Sequence, residues 1–246
     1  MSNRKAAFSA ESYTLSGIPH VRCFTWARCV RLRAIRYDKD ILNTIPYYDE
    51  VYNQIADVVS AAFSNKPVSW LDIGCGTGKM AKVAFEQCNV AKMICTDNSS
   101  AMLEAARQKI SFSGVEFLKL PVEEINYDLQ FDVITSILVN HYMTYEERMI
   151  AVSNCHHALK EGGVFITFEN FAPCDDVMKN LYLKRWKKYQ YSKGKSIKEC
   201  EKHLSRYNTE YFPITIQEQI KILRDCGFMS VEIFWCSYMQ VGILAI

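Results

Sequence analysis

The stretch 68–79 reads VSWLDIGCGTGK, an apolar run that passes through Gly74, Gly76 and Gly78 into a helical pattern. A strand that enters a helix through glycine leaves the first helical amides open to a ligand. The missing Cβ atoms let that ligand approach the backbone. One βα unit is therefore fixed here, and the rest of the chain repeats it. Helical spacing over 47–63 places Val51, Ile55, Val58, Val59 and Ala62 on one face, and Asn65-Lys66-Pro67 ends it. After the strand 68–73 come a helix over 80–88, a strand at 92–96, a helix over 99–110 and strands at 115–118 and 131–136. Thr144 with Glu147 forms a capping box for a helix reaching 159. Glu161-Gly162-Gly163 stops that helix ahead of a strand at 164–168.

Alternation of this kind argues for right-handed crossovers and a mostly parallel sheet with helices on both faces. The pattern breaks after Asn170. Residues 172–208 are polar and helical, with ten Lys or Arg against four acids. A second capping box, Thr215 with Glu218, opens a helix that stops at Gly227, and strands at 231–235 and 238–244 close the chain. Too few residues separate these two for a crossover, so they form an antiparallel hairpin.

Composition narrows the class. With 49% hydrophobic and 23% charged residues, 246 residues make an ordinary globular chain with no apolar run long enough to span a bilayer. No membrane partner is expected. The ten cysteines contain no Cys-x-x-Cys pair, so no zinc knuckle and no metal is expected, and a reducing cytoplasm is the economical location. Eight Lys or Arg against three acids in the first forty residues resemble a transit peptide faintly. Trp26, Cys29, Val30, Leu32 and Ile35 form no clean amphipathic stripe, which favours a basic, frayed lead into a helix. The domain division expected is an N-terminal helical segment over 1–66 and a second unit over 67–246 carrying a helical insertion at about 172–210.

In an open α/β sheet the ligand sits beyond the carboxyl ends of the strands where strand order reverses, and the first strand is the expected switch point. Asp97, nineteen residues after Gly78, stands at the end of the second strand, where a carboxylate accepts from ribose hydroxyls. That pairing suits NAD or another adenosine ligand. The dinucleotide fingerprint, however, needs its third glycine one residue later, where Lys79 stands. Gly-Lys followed by Met80 also departs from a phosphate-binding P-loop.

These residues resemble a class I S-adenosylmethionine-dependent methyltransferase from about Tyr37 to the C-terminus. LDIGCGTGK is similar to the family's first motif and TDNSSAML to its second. FDVITSILVNHYM is similar to its fourth strand and following loop, and LKEGGVFITFENF to its fifth strand. The resemblance implies a Rossmann-like seven-stranded sheet, mostly parallel with an antiparallel last strand, and S-adenosyl-L-methionine as cofactor. It implies that Asp72, Gly74, Gly76, Gly78, Asp97, Asn98, Met102, Leu120 and Ser136 surround that cofactor. Where the family often has an acid to read adenine, this chain has Lys119-Leu120-Pro121, so Leu120 covers the adenine face without accepting its hydrogen bond.

Methyl transfer is an in-line displacement in which positioning carries much of the catalysis, and a base is needed only for an acceptor that loses a proton. Tyr37, Asn140, His141, Tyr142, Glu169 and Arg206 are the polar residues expected around the acceptor, with Glu169 and His141 as candidate catalytic groups. Glu169 serves equally well as a hydrogen-bonded acid capping a lid helix, while the base role of His141 competes with that of a packing or cofactor-cradle residue. The basic run KRWKKYQYSKGK reads as a solvated helix face with Leu181, Leu183, Trp186 and Tyr189 turned inward, forming a lid. A small molecule rather than nucleic acid is the expected partner, and no oligomeric state follows from the pattern. His156 and His157 fall away from the strand ends and read as structural.

A second resemblance covers DNSSAM, Glu169-Asn170-Phe171 and the C-terminal half, which are similar to carboxy-S-adenosylmethionine synthase. That enzyme remodels the cofactor and uses an arginine for the added carboxylate, a role for which Arg206 is near but not in clear register. A non-catalytic cofactor-binding or partner-supporting subunit is the third reading, against which the intact glycine loop and Asp97 argue.

Overall fold

The computed structural model describes residues 37–246; the readings made for the basic N-terminus lie outside the described residues. Helices α1 (Tyr37–Leu42) and α2 (Tyr48–Phe63) lead into strand β1 (Val68–Ile73). The alternation expected from the sequence follows: α3 (Lys79–Gln87), β2 (Val90–Thr96), α4 (Ser100–Lys109), β3 (Val115–Leu118), β4 (Phe131–Ile137), α5 (Tyr145–Ala158) and β5 (Leu159–Asn170). Two helices, α6 (Asp176–Ser192) and α7 (Ile197–Leu204), fill the polar segment, and α8 (Ile216–Asp225), β6 (Val231–Ser237) and β7 (Gln240–Ala245) close the chain.

The seven strands run in the order β3-β2-β1-β4-β5-β7-β6. The first five are parallel, and β7 is antiparallel to both β5 and β6. Strand order reverses between β1 and β4, which puts the crevice at their carboxyl ends. The hairpin argued from its short connection is present, with β7 inserted between β5 and β6. Parallel strands must be covered on both faces, and two apolar clusters do this. One gathers α2, α3 and Trp186 on one side of the sheet, and the other gathers α5 and α8 on the opposite side.

Local signals account for most boundaries. Both expected capping boxes form, Thr144 with Glu147 and Thr215 with Glu218, and a third at Ser196 with Glu199 starts α7. Helix α2 ends at Ser64 and Asn65, both at positive φ, ahead of Pro67. Strand β5 is longer than the expected 164–168. Phe131 pairs with Leu159 but Val133 with Val164, so the extra residues bulge out where the Gly162-Gly163 turn was expected. The expectation for Leu181 is corrected: it is exposed, because the inner face of α6 is set by the fully buried Trp186 and Gln190. Leu183 and Tyr189 do pack against the core. His156 packs its ring on Phe228, a structural position.

Trp186 ties the insertion to the front of the domain. Its Nε1 donates to the Thr44 carbonyl at 2.6 Å, while Lys195 donates to the Thr44 hydroxyl at 2.5 Å. The residues 37–45 therefore lie as a strap between the insertion and the glycine loop, since Asp38 also accepts from Thr77 Oγ1 at 2.6 Å and pairs with Lys109.

Candidate active site

The glycine loop meets the expectations of a ligand cradle. Gly74 has φ of 62°, and a Cβ there would stand 2.3 Å from Val139 Cγ2, so the loop after β4 presses on it too closely for any side chain. Gly76 has φ of 55° and open space where its Cβ would be. Gly78 caps α3 in the left-handed region. At the end of β2, Asp97 Oδ2 accepts from the Gly76 amide at 3.0 Å and Oδ1 from the Ser99 amide at 2.7 Å. Each oxygen keeps a further lone pair for a ligand. Burial pushes the Asp97 pKa up, and these two amides restrain it.

Asp72 sits deeper, at the end of β1. Its Oδ1 accepts from Thr135 Oγ1 at 2.7 Å, and that hydroxyl in turn accepts from Trp70 Nε1 at 2.9 Å. Its Oδ2 is buried with no partner among the described residues, and it lines the cavity with Gly74 and Gly76. Burial pushes the Asp72 carboxyl up to about 7, with the Asp97 charge adding to the effect and Thr135 opposing it. An orphaned acid beside a glycine cradle is a place for a cation.

Three tyrosines wall the same cavity. Tyr48 and Tyr52 share a hydrogen bond at 2.7 Å, Tyr37 bonds to Tyr48, and Lys79 lies over both helical rings while pairing with Asp49. Burial raises all three phenols well above their usual range. Tyr37 was expected at the acceptor; it stands between the cavity and Tyr142, close to Asp97 as well. Tyr48, Tyr52 and Lys79 were missed. The signal was there, since Tyr48 and Tyr52 fall four apart on the buried face of α2 with Val51, Ile55 and Val59.

Of the other cofactor candidates, Met102 and Leu120 are half-buried, Asn98 is exposed and Ser136 is buried with its hydroxyl turned to Asn140 Oδ1 at 3.1 Å. On the acceptor side, Glu169 is fully buried and surrounded by donors. Its Oε1 accepts from the amides of Val139 at 3.1 Å and Asn140 at 2.9 Å, and its Oε2 from the His141 amide at 3.3 Å. His141 Nδ1 meets Oε2 at 2.5 Å. The acid thus caps a short turn, Asn140–Tyr142, rather than a lid helix. Asn140 is tied inward, to Ser136 and to Thr167 Oγ1 at 3.5 Å, so it supports the loop and does not face the crevice. Tyr142 is exposed on one side and hydrogen-bonds Arg206, whose guanidinium lies 5.8 Å from the Tyr211 ring and whose Nε donates to Glu210 at 2.7 Å. The His141 ring packs on Tyr142 at 4.4 Å and on Tyr211 at 5.8 Å. The structure therefore gathers His141, Tyr142, Glu169 and Arg206 at one place.

Residues 71–167 match the family model described as a methyltransferase domain. The chain carries a class I methyltransferase domain. Two curated relatives of this methyltransferase chain are carboxy-S-adenosyl-L-methionine synthases. That of Staphylococcus epidermidis is 22% identical, covering 91% of this chain and 97% of its own. That of Wolinella succinogenes is 29% identical over 80% of this chain and 83% of its own. Among solved structures, DhpI in complex with SAH superposes with a TM-score of 0.62 at 15% identity, covering 89% of this chain and 94% of its own. That likeness is one of fold alone.

Proposed function

We propose that this S-adenosylmethionine-dependent methyltransferase transfers a methyl group to a small-molecule acceptor held against His141, Tyr142 and Arg206. The observation that carries the cofactor side is the pair of acids on the glycine loop. Asp72 presents an unpartnered buried oxygen suited to an ammonium group, and Asp97 presents spare lone pairs suited to ribose hydroxyls. When bound, S-adenosylmethionine supplies an electrophilic methyl group on a sulfonium. The chain's own residues do the rest. Gly76 leaves room for the ligand beside the backbone, Tyr37 and Tyr48 close the cavity, and the Gly74–Val139 contact fixes the acceptor loop against the cofactor loop. Glu169 holds the proton of His141 on Nδ1, leaving Nε2 as the basic nitrogen for an acceptor that must lose a proton. The insertion at 172–210 roofs this pocket, a role supported by the Arg206–Tyr142 bond and by the Trp186–Thr44 tie. The eight cysteines among the described residues are all unpaired, which supports a reducing compartment.

Replacing His141 by Gln or Glu169 by Gln lowers turnover by roughly 100-fold, the usual weight of a positioned base, while cofactor affinity stays within a few-fold. Single-turnover kinetics with methyl-labelled cofactor, alongside calorimetry with the homocysteine product, measure the two effects separately. Full turnover in both variants would remove these residues from the reaction.

Arg206 favours a second reading, in which the chain acts as a carboxy-S-adenosylmethionine synthase like its curated relatives. A guanidinium held by Tyr142 beside the acceptor crevice suits a carboxylate on the ligand. Mass spectrometry of the ligand retained through purification decides between them. The methyltransferase reading expects S-adenosylmethionine or S-adenosylhomocysteine, and the second expects a carboxylated form. A retained nicotinamide dinucleotide would defeat both.

A further inference from the structure

Lys79 has no place in the chemistry above. It is the first residue of α3, directly after Gly78, and it lines the cofactor cavity. Among the described residues that line this cavity, the charged side chains are Asp72 and Lys79. Lys79 Nζ stands 5.8 Å from the centre of the Tyr48 ring and 5.6 Å from that of Tyr52, two of the cavity walls. Its ion-pair partner is Asp49, in the first turn of α2.

That pair is loosely held. The Asp49 side chain is 61% exposed, so water takes the place of the ammonium when Lys79 leaves, and an ion pair open to solvent is worth little. The two rings, in contrast, are buried and tied together by a hydrogen bond between their hydroxyls at 2.7 Å. They offer the ammonium electron-rich faces that belong to the cavity wall. Lys79 is thus free to change its anionic partner while the wall behind it stays put. Charge balance says what the new partner is. An α-amino acid carries its ammonium and its carboxylate on one carbon. An ammonium received by the orphaned Asp72 Oδ2 therefore brings a carboxylate into the same cavity. There it would meet like charge, since Asp72 lines the cavity and Asp97 holds the amide of Gly76 in its wall at 3.0 Å. A cation must face it, and Lys79 is in place.

We propose that Lys79 is the specificity-determining residue for the amino-acid end of the cofactor: on binding it gives up Asp49 and pairs with the ligand's carboxylate. The cavity then demands both charges of an α-amino acid, one on Asp72 and one on Lys79, and discriminates against adenosine thioethers that lack the carboxylate. The proposal rests on the S-adenosylmethionine reading of the cavity.

The test is calorimetry on the full chain with two probes, S-adenosylhomocysteine and its decarboxylated counterpart, the aminopropyl thioether of adenosine. The parent prefers S-adenosylhomocysteine by about 30-fold, the weight of a hydrogen bond between charged groups. In Lys79→Met that preference falls to within about threefold, and the aminopropyl thioether binds at least as tightly as to the parent. Lys79→Gln decides the matter if Lys79→Met fails to fold. Asp49→Asn separates a ligand contact from a structural tie. It removes the ion pair between α2 and α3 but leaves the cation, so the preference is kept or rises. A parent that binds both compounds alike, a Lys79→Met protein with the parent's preference, or an Asp49→Asn protein that loses it as Lys79→Met does, overturns the proposal. A parent that binds neither compound brings down the cofactor reading, and this proposal with it, so the two failures are distinguishable.

Discussion

Asp97→Ala weakens binding of S-adenosylhomocysteine by at least about 100-fold, which is near the loss of detectable heat in calorimetry for a ligand of micromolar affinity. The argument has two parts. Removing the carboxylate leaves the ligand's two ribose hydroxyls facing no acceptor, at roughly 1–3 kcal/mol for each buried group left unpaired. It also frees the Gly76 and Ser99 amides that the two oxygens now hold at 3.0 and 2.7 Å, so the glycine loop keeps only the Cys75 amide to Thr96 carbonyl bond as its backbone tie to the end of β2. Asp97→Asn keeps one accepting oxygen and falls between the parent and Asp97→Ala. The folded state of the alanine variant is checked by its melting curve, since burial already pushes the Asp97 pKa up and the charge is no great asset to the empty protein. Binding within threefold of the parent would end the assignment of this acid to the ribose.

The geometry of the proposed cofactor half of the site was legible because its parts are local. The glycine loop and Asp97 lie on consecutive βα units, and the in-register pairing of β1 with β2 brings Ile73 opposite Thr96. A residue one step past each strand end must then meet its counterpart. The acceptor half depends on longer reach. His141 and Glu169 are 28 residues apart and meet because β4 and β5 pair as Ser136 with Thr167 and Ile137 with Phe168. Pattern alone placed both residues at strand ends. It could not show that Glu169 turns back to collect the amides of the 139–141 loop, because that depends on side-chain direction at one position. Burial is a further thing that pattern cannot give: Arg148, one step beyond the capping box of α5, is a charged residue that tertiary packing buries fully. Leu181 shows the opposite failure. Its apolar character pointed inward, yet the helix takes its orientation from Trp186, whose indole has a carbonyl partner in the strap.

The largest pH effect comes from Asp72, and its sign differs between stability and binding. The unfolded chain holds this carboxyl near its usual value, whereas burial raises it to about 7 in the folded, ligand-free protein. The folded state therefore binds more protons than the unfolded one between about pH 4 and 7, and stability falls as pH rises through that window. A gap of some three pH units corresponds to about 4 kcal/mol, fully lost above pH 7. Asp72→Asn, neutral throughout, should then melt higher than the parent at pH 8 and much like it at pH 4. Ligand binding runs the other way. The ammonium of the cofactor's amino-acid end pairs only with the ionised acid, so below pH 7 binding must release a proton and the apparent affinity falls by up to tenfold per pH unit. Calorimetry at pH 8, 6 and 5 should show affinity for S-adenosylhomocysteine weakening by about 10-fold at pH 6 and 100-fold at pH 5, with proton release measured from the dependence on buffer ionisation heat. In Asp72→Asn the affinity is low and flat over the same range, because the unpartnered oxygen no longer becomes an anion. A parent protein whose affinity does not change between pH 8 and 5 would show that Asp72 does not receive the ammonium group, whatever else the cavity binds.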